Sequence, residues 1–182
     1  LGHRLLVELG PGVGHGAVDV GELAVELQSQ VEGLLQTVAT FSGPGVTVNG
    51  ALIDIADIPG VAGAFTTWDE NPCDPDPAND VVGAISAFVQ NVAAANPSLR
   101  HVTVIGSDEM VPFFRAVDTT VVANESTYTD GFEDNATFGA FSPGHYLSDA
   151  PYGDLDPIAW LDRYAYVPDL AIGRLVEEPN QI

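Results

Sequence analysis

Lysine is absent from this chain, and the five basic residues, all arginine, face 26 aspartates and glutamates, which leaves a formal net charge of −21. A field of that sign repels nucleic acid and anionic lipid, so neither is expected as a partner. It favours a soluble monomer at the cost of self-repulsion, which added salt screens. The composition therefore predicts a salt-adapted or calcium-rich extracellular or cell-surface setting, with an ordinary acidic surface as the alternative. Cysteine is almost as scarce. Cys73 stands alone, which rules out an internal disulfide. No apolar run approaches the roughly 18 residues of a membrane helix. Residues 1–6 lack the apolar core and small-residue cleavage site of a signal peptide, so an exported protein needs its signal upstream.

What is present suffices for a core. With 182 residues and 46% hydrophobic content, one folded domain spanning 1–182 is expected rather than a disordered chain. Leu5 to Leu9 reads as a strand, and the glycines from Gly10 to Gly16 follow it. Their alternation invites a phosphate cradle, but the spacing is not G-x-G-x-x-G and Pro11 removes a donor, so a turn is the better expectation. Asp19 and Glu22 form a capping-box-like start. Leu23, Leu27, Val31, Leu34, Leu35 and Val38 then make one helical stripe. A strand is expected within Val46–Ile55, with Asn49-Gly50 a bulge or turn, and a short helix capped by Asp57 runs through Phe65 and Trp68.

The segment 69–80 collects five acids and three prolines. It lacks the D-x-D-x-D-G calcium pattern, and Asp76-Pro77 fits a helix start better. Val81, Val82, Ile85, Phe88, Val89 and Val92 mark the following helix, which stops at Asn96-Pro97. A helix between two strands favours a βαβ crossover, which would put Ser107, Asp108 and Glu109 at the carboxyl edge of the sheet.

The organising stretch runs from His101 to Ile182. It opens with the apolar strand His101–Ile105, turns at Gly106, and closes with a strand at Leu170–Arg174. Aliphatic runs bounded by turn formers suit a sheet covered on both faces. Met110 to Phe114 is expected to fold back as an apolar plug over the sheet end, with Arg115 neutralising a nearby acid. Arg174 is a candidate for a buried ion pair, and Gly173 for close backbone approach. The chain from Val117 to Tyr164 is expected to be largely loop.

Three segments here, V-I-G-S-x-x-x-x-P from Val104 to Pro112, S-D-x-x-Y-G from Ser148 to Gly153, and I-G-R from Ile172 to Arg174, resemble the gingipain-type cysteine peptidases. The resemblance implies a caspase-like fold with two α/β halves, of which this chain is the first, non-catalytic one. It also implies that the catalytic His and Cys belong to later segments, a Gly-His-Gly type turn and a strand ending in Cys. His145, in Gly-His-Tyr before the I-G-R strand, matches neither.

Residue chemistry agrees with leaving the catalytic set empty. A nucleophilic thiol needs a nearby imidazole or helix N-terminus, whereas Asp69, Glu70, Asp74 and Asp76 around Cys73 oppose a thiolate. Asp108 and Glu109 are adjacent and would diverge on an extended segment. His101 is expected to be packed and hydrogen-bonded. Acids crowd twice in the long loop, at Asp130, Glu133 and Asp134 and at Asp149, Asp154 and Asp156. The second group is expected to hold a structural calcium ion, with plain solvation as the alternative.

The expectation is thus a three-layer α/β sandwich with a mainly parallel sheet of about four strands. Its partner would be the catalytic subdomain of the same chain, through which protein or peptide substrates are cut. Rival expectations are a non-catalytic acidic surface module of the same fold and a nucleotide-binding domain using Gly10 to Gly16. Glu177-Glu178-Pro179 reads as a helix start, which suggests a fragment of a longer chain.

Overall fold

The computed structural model describes residues 4–9, 49–129 and 136–175. The glycine run at Gly10–Gly16, the helix expected from Asp19, the cluster of Asp130, Glu133 and Asp134, and the turn at Glu177 lie outside them.

The principal sheet has four strands, β1 (Arg4–Leu9), β2 (Asn49–Asp54), β3 (His101–Ile105) and β8 (Ala171–Leu175), in the order β2-β1-β3-β8. The mainly parallel pairing expected from the sequence needs correction. β1 pairs antiparallel with both β2 and β3, and only β3 and β8 are hydrogen-bonded in parallel. Strands β2, β3 and β8 still run in one direction, because β1 is inserted between β2 and β3 with the opposite sense. The crossover from β2 to β3 therefore passes over an intervening strand instead of joining neighbours. Asn49 and Gly50 are not a turn; they pair with Leu9 and Glu8 inside the ladder.

Two helices fill that crossover, α1 (Val61–Glu70) and α2 (Pro75–Ala95). Their starts differ from the expected ones. Asp54 caps a 3-10 turn at Ile55–Asp57 through the Ala56 N–H, and α1 begins after Gly60, whose φ of 87° suits glycine. At α2 the cap is Asp74, accepting from the Asp76 N–H, with Pro75 at the first helical position; the Asp-Pro logic holds two residues earlier than expected.

Val81, Val82, Ile85 and Val89 present one buried stripe of α2, joined by Val61, Phe65 and Trp68 from α1 and by Val102 and Val104 from β3. Alternation along β3 explains the choice: Val102 and Val104 face the helices, while His101 is exposed on the other side, not packed as expected. Among the described residues helices cover one face of the sheet.

The chain between β3 and β8 is more structured than a loop. It holds β4 (Phe114–Val117) paired with β5 (His145–Ser148), a 3-10 turn at Glu125–Tyr128, α3 (Ala136–Phe141), α4 (Ala150–Gly153), and a hairpin of β6 (Ile158–Trp160) and β7 (Arg163–Ala165). Glycine acts here by close approach. A Cβ at Gly153 would sit 2.9 Å from the Leu170 carbonyl oxygen, and one at Gly139 would sit 2.7 Å from the Cys73 Cα. At Gly173, where such a contact was expected, a Cβ would meet nothing within 4 Å.

Candidate functional site

The carboxyl ends of β3 and β8 lie side by side, which is where an open α/β sheet offers a ligand crevice. The chain leaves β3 through Gly106, at φ 137°, and Ser107 accepts from the Met110 and Val111 N–H groups to close a tight turn. The expected plug forms. Val111 is fully buried and Met110 packs against the core.

Two arginines fix this turn from opposite sides. Arg174, opposite Val104 in the parallel ladder, donates from Nε to Asp149 Oδ2 at 2.9 Å and from Nη2 to Oδ1 at 2.5 Å. Its Nη1 donates to the carbonyls of Gly106 at 2.8 Å and Val111 at 2.7 Å, and its guanidinium carbon lies 3.9 Å from the centre of the Phe113 ring. One planar fork thus joins β8, α4 and the turn after β3, a geometry that lysine cannot reproduce.

Arg115 makes the second clamp. Its Nη2 donates to Asp108 Oδ2 at 2.9 Å and its Nη1 to the Phe113 carbonyl, while Trp68 lies 5.5 Å away on the guanidinium's flank. Asp108 also accepts from the Phe113 N–H at 2.8 Å and from Thr137 Oγ1 at 3.2 Å. Burial pushes the Arg115 guanidinium below its ordinary value, and the Asp108 carboxylate opposes that shift. Asn79 on α2 brackets the Arg115 backbone, accepting from its N–H at 2.7 Å and donating to its carbonyl at 3.0 Å. Between the clamps the buried Tyr152 hydroxyl donates to the Pro112 carbonyl; burial raises its pKa well above the usual phenol range.

Both expected ion pairs are therefore present, and both arginines also bind backbone carbonyls. Asp108, accepting from a guanidinium and a main-chain N–H, and Asp149, accepting from both arms of a guanidinium, are poorly placed to act as general bases. Thr137 and Asn79 escaped the sequence reading, and Tyr152 entered it only as the tyrosine of the S-D-x-x-Y-G segment, without its partner. Each acquires that partner across 29 to 40 residues of chain.

The acids expected to bind calcium divide. Asp149 is committed to Arg174. Asp154 and Asp156 do come together, and their third member is Asp169, with carboxylate oxygens of all three within 4.8 Å of one another. Asp154 Oδ1 accepts from the Asp156 N–H at 3.0 Å and Oδ2 from the Val167 N–H at 2.6 Å, and Asp169 Oδ2 accepts from the Leu155 N–H at 2.9 Å. Asp169 was not foreseen because the hairpin lies between it and its partners in sequence.

Cys73 is exposed in the turn between α1 and α2, against the backbone of Gly139. His145 opens β5, opposite Val117, and its Nδ1 is buried without a hydrogen-bond partner among the described residues.

A sequence model of the family described as Peptidase family C25, the gingipain family, matches residues 27–181. The chain belongs to peptidase family C25. No curated protein and no solved structure matches it. The family match covers the β3 turn, the Asp149 segment and the β8 arginine, so the two clamps are features of a C25 peptidase region.

Proposed function

We propose that these residues form the supporting, non-catalytic half of a C25 cysteine peptidase, whose Cys-His pair is carried elsewhere in the protein. The observation that favours this reading is the state of the sheet's carboxyl edge. Its charged groups, Asp108, Arg115, Asp149 and Arg174, are saturated by one another and by main-chain groups, so the edge serves as a rigid platform. Among the described residues, the hydrogen bonds of these four side chains go to one another, to Thr137 and to main-chain groups, with no Cys or His side chain among them. Kinetics of the Cys73→Ser variant of the full-length protein on a peptide substrate test the assignment. Retention of kcat/KM within about twofold is expected, whereas a loss of several hundredfold or more would assign the nucleophile to position 73.

Calcium belongs to this reading as a structural ligand of Asp154, Asp156 and Asp169, which converge, in place of the trio containing Asp149. The ion would neutralise carboxylates that the N–H groups of Asp156, Leu155 and Val167 already orient. A chelator should lower the melting temperature, added calcium should restore it, and Asp169→Asn should remove the response. An unchanged melting curve removes calcium from the proposal.

A further inference from the structure

Just after β4 the chain forms a short loop whose two ends are stapled to each other. Asp118 Oδ1 accepts from the Thr120 N–H at 2.8 Å and Oδ2 from the Glu125 N–H at 2.9 Å, while Asn124 Nδ2 donates to the carbonyls of Asp118 at 3.0 Å and Thr120 at 3.3 Å. The Asp118 N–H donates to the Gly144 carbonyl at 2.8 Å, which ties the base of the loop to the start of β5.

What the staple presents is apolar. Val121 and Val122 are 98% and 82% exposed, and Ala123, also exposed, holds a φ of 57°. Side chains this exposed contribute almost nothing to the core, so packing does not account for the valine pair. Exposed loop tips held at both ends are where a peptidase nicks a folded chain.

The main chain points to one bond. Among the described residues the backbone groups of Thr119, Val121, Val122 and Ala123 make no hydrogen bond, whereas both those of Thr120 are engaged. A peptide recognised as an added strand pairs through the main-chain groups of every second residue. Thr119 and Val121 are free for that pairing, and the staple holds the residue between them. Pairing of this kind puts the Val121 side chain in the pocket that reads the residue before the cut. The β6–β7 hairpin is comparably exposed, with Leu161 at 89%, but Trp160 pairs with Arg163 and leaves only two residues unpaired. It offers no free segment of that length.

We propose that the Val121–Val122 bond is a processing site, hydrolysed by a peptidase whose pocket takes a small aliphatic side chain, and that the two pieces stay together. Water adds its hydroxyl to the Val121 carbonyl carbon and its proton to the Val122 nitrogen as the C–N bond between them breaks. Contacts across the cut hold the product. β3 pairs with β8 and β4 with β5, the Tyr152 hydroxyl reaches the Pro112 carbonyl, and Arg174 reaches the carbonyls of Gly106 and Val111. This inference is independent of where the catalytic pair resides.

The test digests the full-length protein briefly with neutrophil elastase, as the small-aliphatic probe, and maps new amino termini by mass spectrometry. A first cut that exposes Val122 is expected, with both pieces co-eluting in gel filtration. Val121→Asp should leave the melting temperature unchanged and slow the cut about tenfold or more, because a carboxylate does not enter an apolar pocket. Thr119→Pro, which removes one of the free N–H groups, should slow it about tenfold. The protein isolated from its own organism should carry the same terminus at Val122. A first cut elsewhere, an unchanged rate in either variant, pieces that separate, or a native protein uncut at this bond would overturn the proposal.

Discussion

Arg174 shows how much one side chain can hold. Its side chain is 6% exposed and that of Asp149 16%, so Asp149→Asn would leave a buried cation without its counter-charge. Losing one partner of such a pair costs about 3 kcal/mol or more, a fall in melting temperature of roughly 6 °C at least for a chain this long. Arg174→Lys should fall in the same direction, since an ammonium cannot span both Asp149 oxygens and two carbonyls. Tyr152 sets the alkaline limit. Its pKa is raised by burial above the unfolded value of about 10, so its contribution is intact below that pH. As pH rises beyond it, only the unfolded chain releases the proton, and stability falls. Denaturant midpoints measured between pH 8 and 11 should decline at the upper end, and Tyr152→Phe should flatten the decline.

At the scale of elements, two glycines of similar appearance make opposite predictions. Gly139→Ala places a Cβ against the Cys73 backbone at 2.7 Å and should destabilise by about 1–3 kcal/mol, whereas Gly83→Ala enters open space on α2 and should stabilise by about 0.5–1 kcal/mol. Thermal unfolding of both variants checks the contrast. This contrast also marks what the sequence can disclose. The stripe of Val81, Val82, Ile85 and Val89 specifies α2 because its periodicity is local, and the aliphatic run of β3 specifies a buried strand for the same reason. Strand direction is not local. The insertion of β1 between β2 and β3 follows from no pattern within β1 itself. Strands of three and four residues, β4 to β7, carry too few alternations to stand out from loop. The acid cluster was legible in composition, but the exchange of Asp149 for Asp169 rests on two long-range contacts, the Arg174–Asp149 pair and the approach of Asp169 to Asp154 and Asp156 across the hairpin.

For the whole molecule, charge dominates. With 26 acids against five bases, and two of those bases consumed in buried pairs, the exposed surface repels itself. Raising sodium chloride from about 0.1 M to 1 M shortens the screening length from about 10 Å to 3 Å and should raise the melting temperature. A flat response would mean that bound cations already neutralise the surface. The central claim, that this C25 region supports catalysis performed elsewhere, meets its most direct test in the full-length protein treated with a peptidyl acyloxymethyl ketone and mapped by mass spectrometry. The expected result is a label on a cysteine outside residues 1–182, with Cys73 unmodified; a label on Cys73, or none on any cysteine, would contradict it.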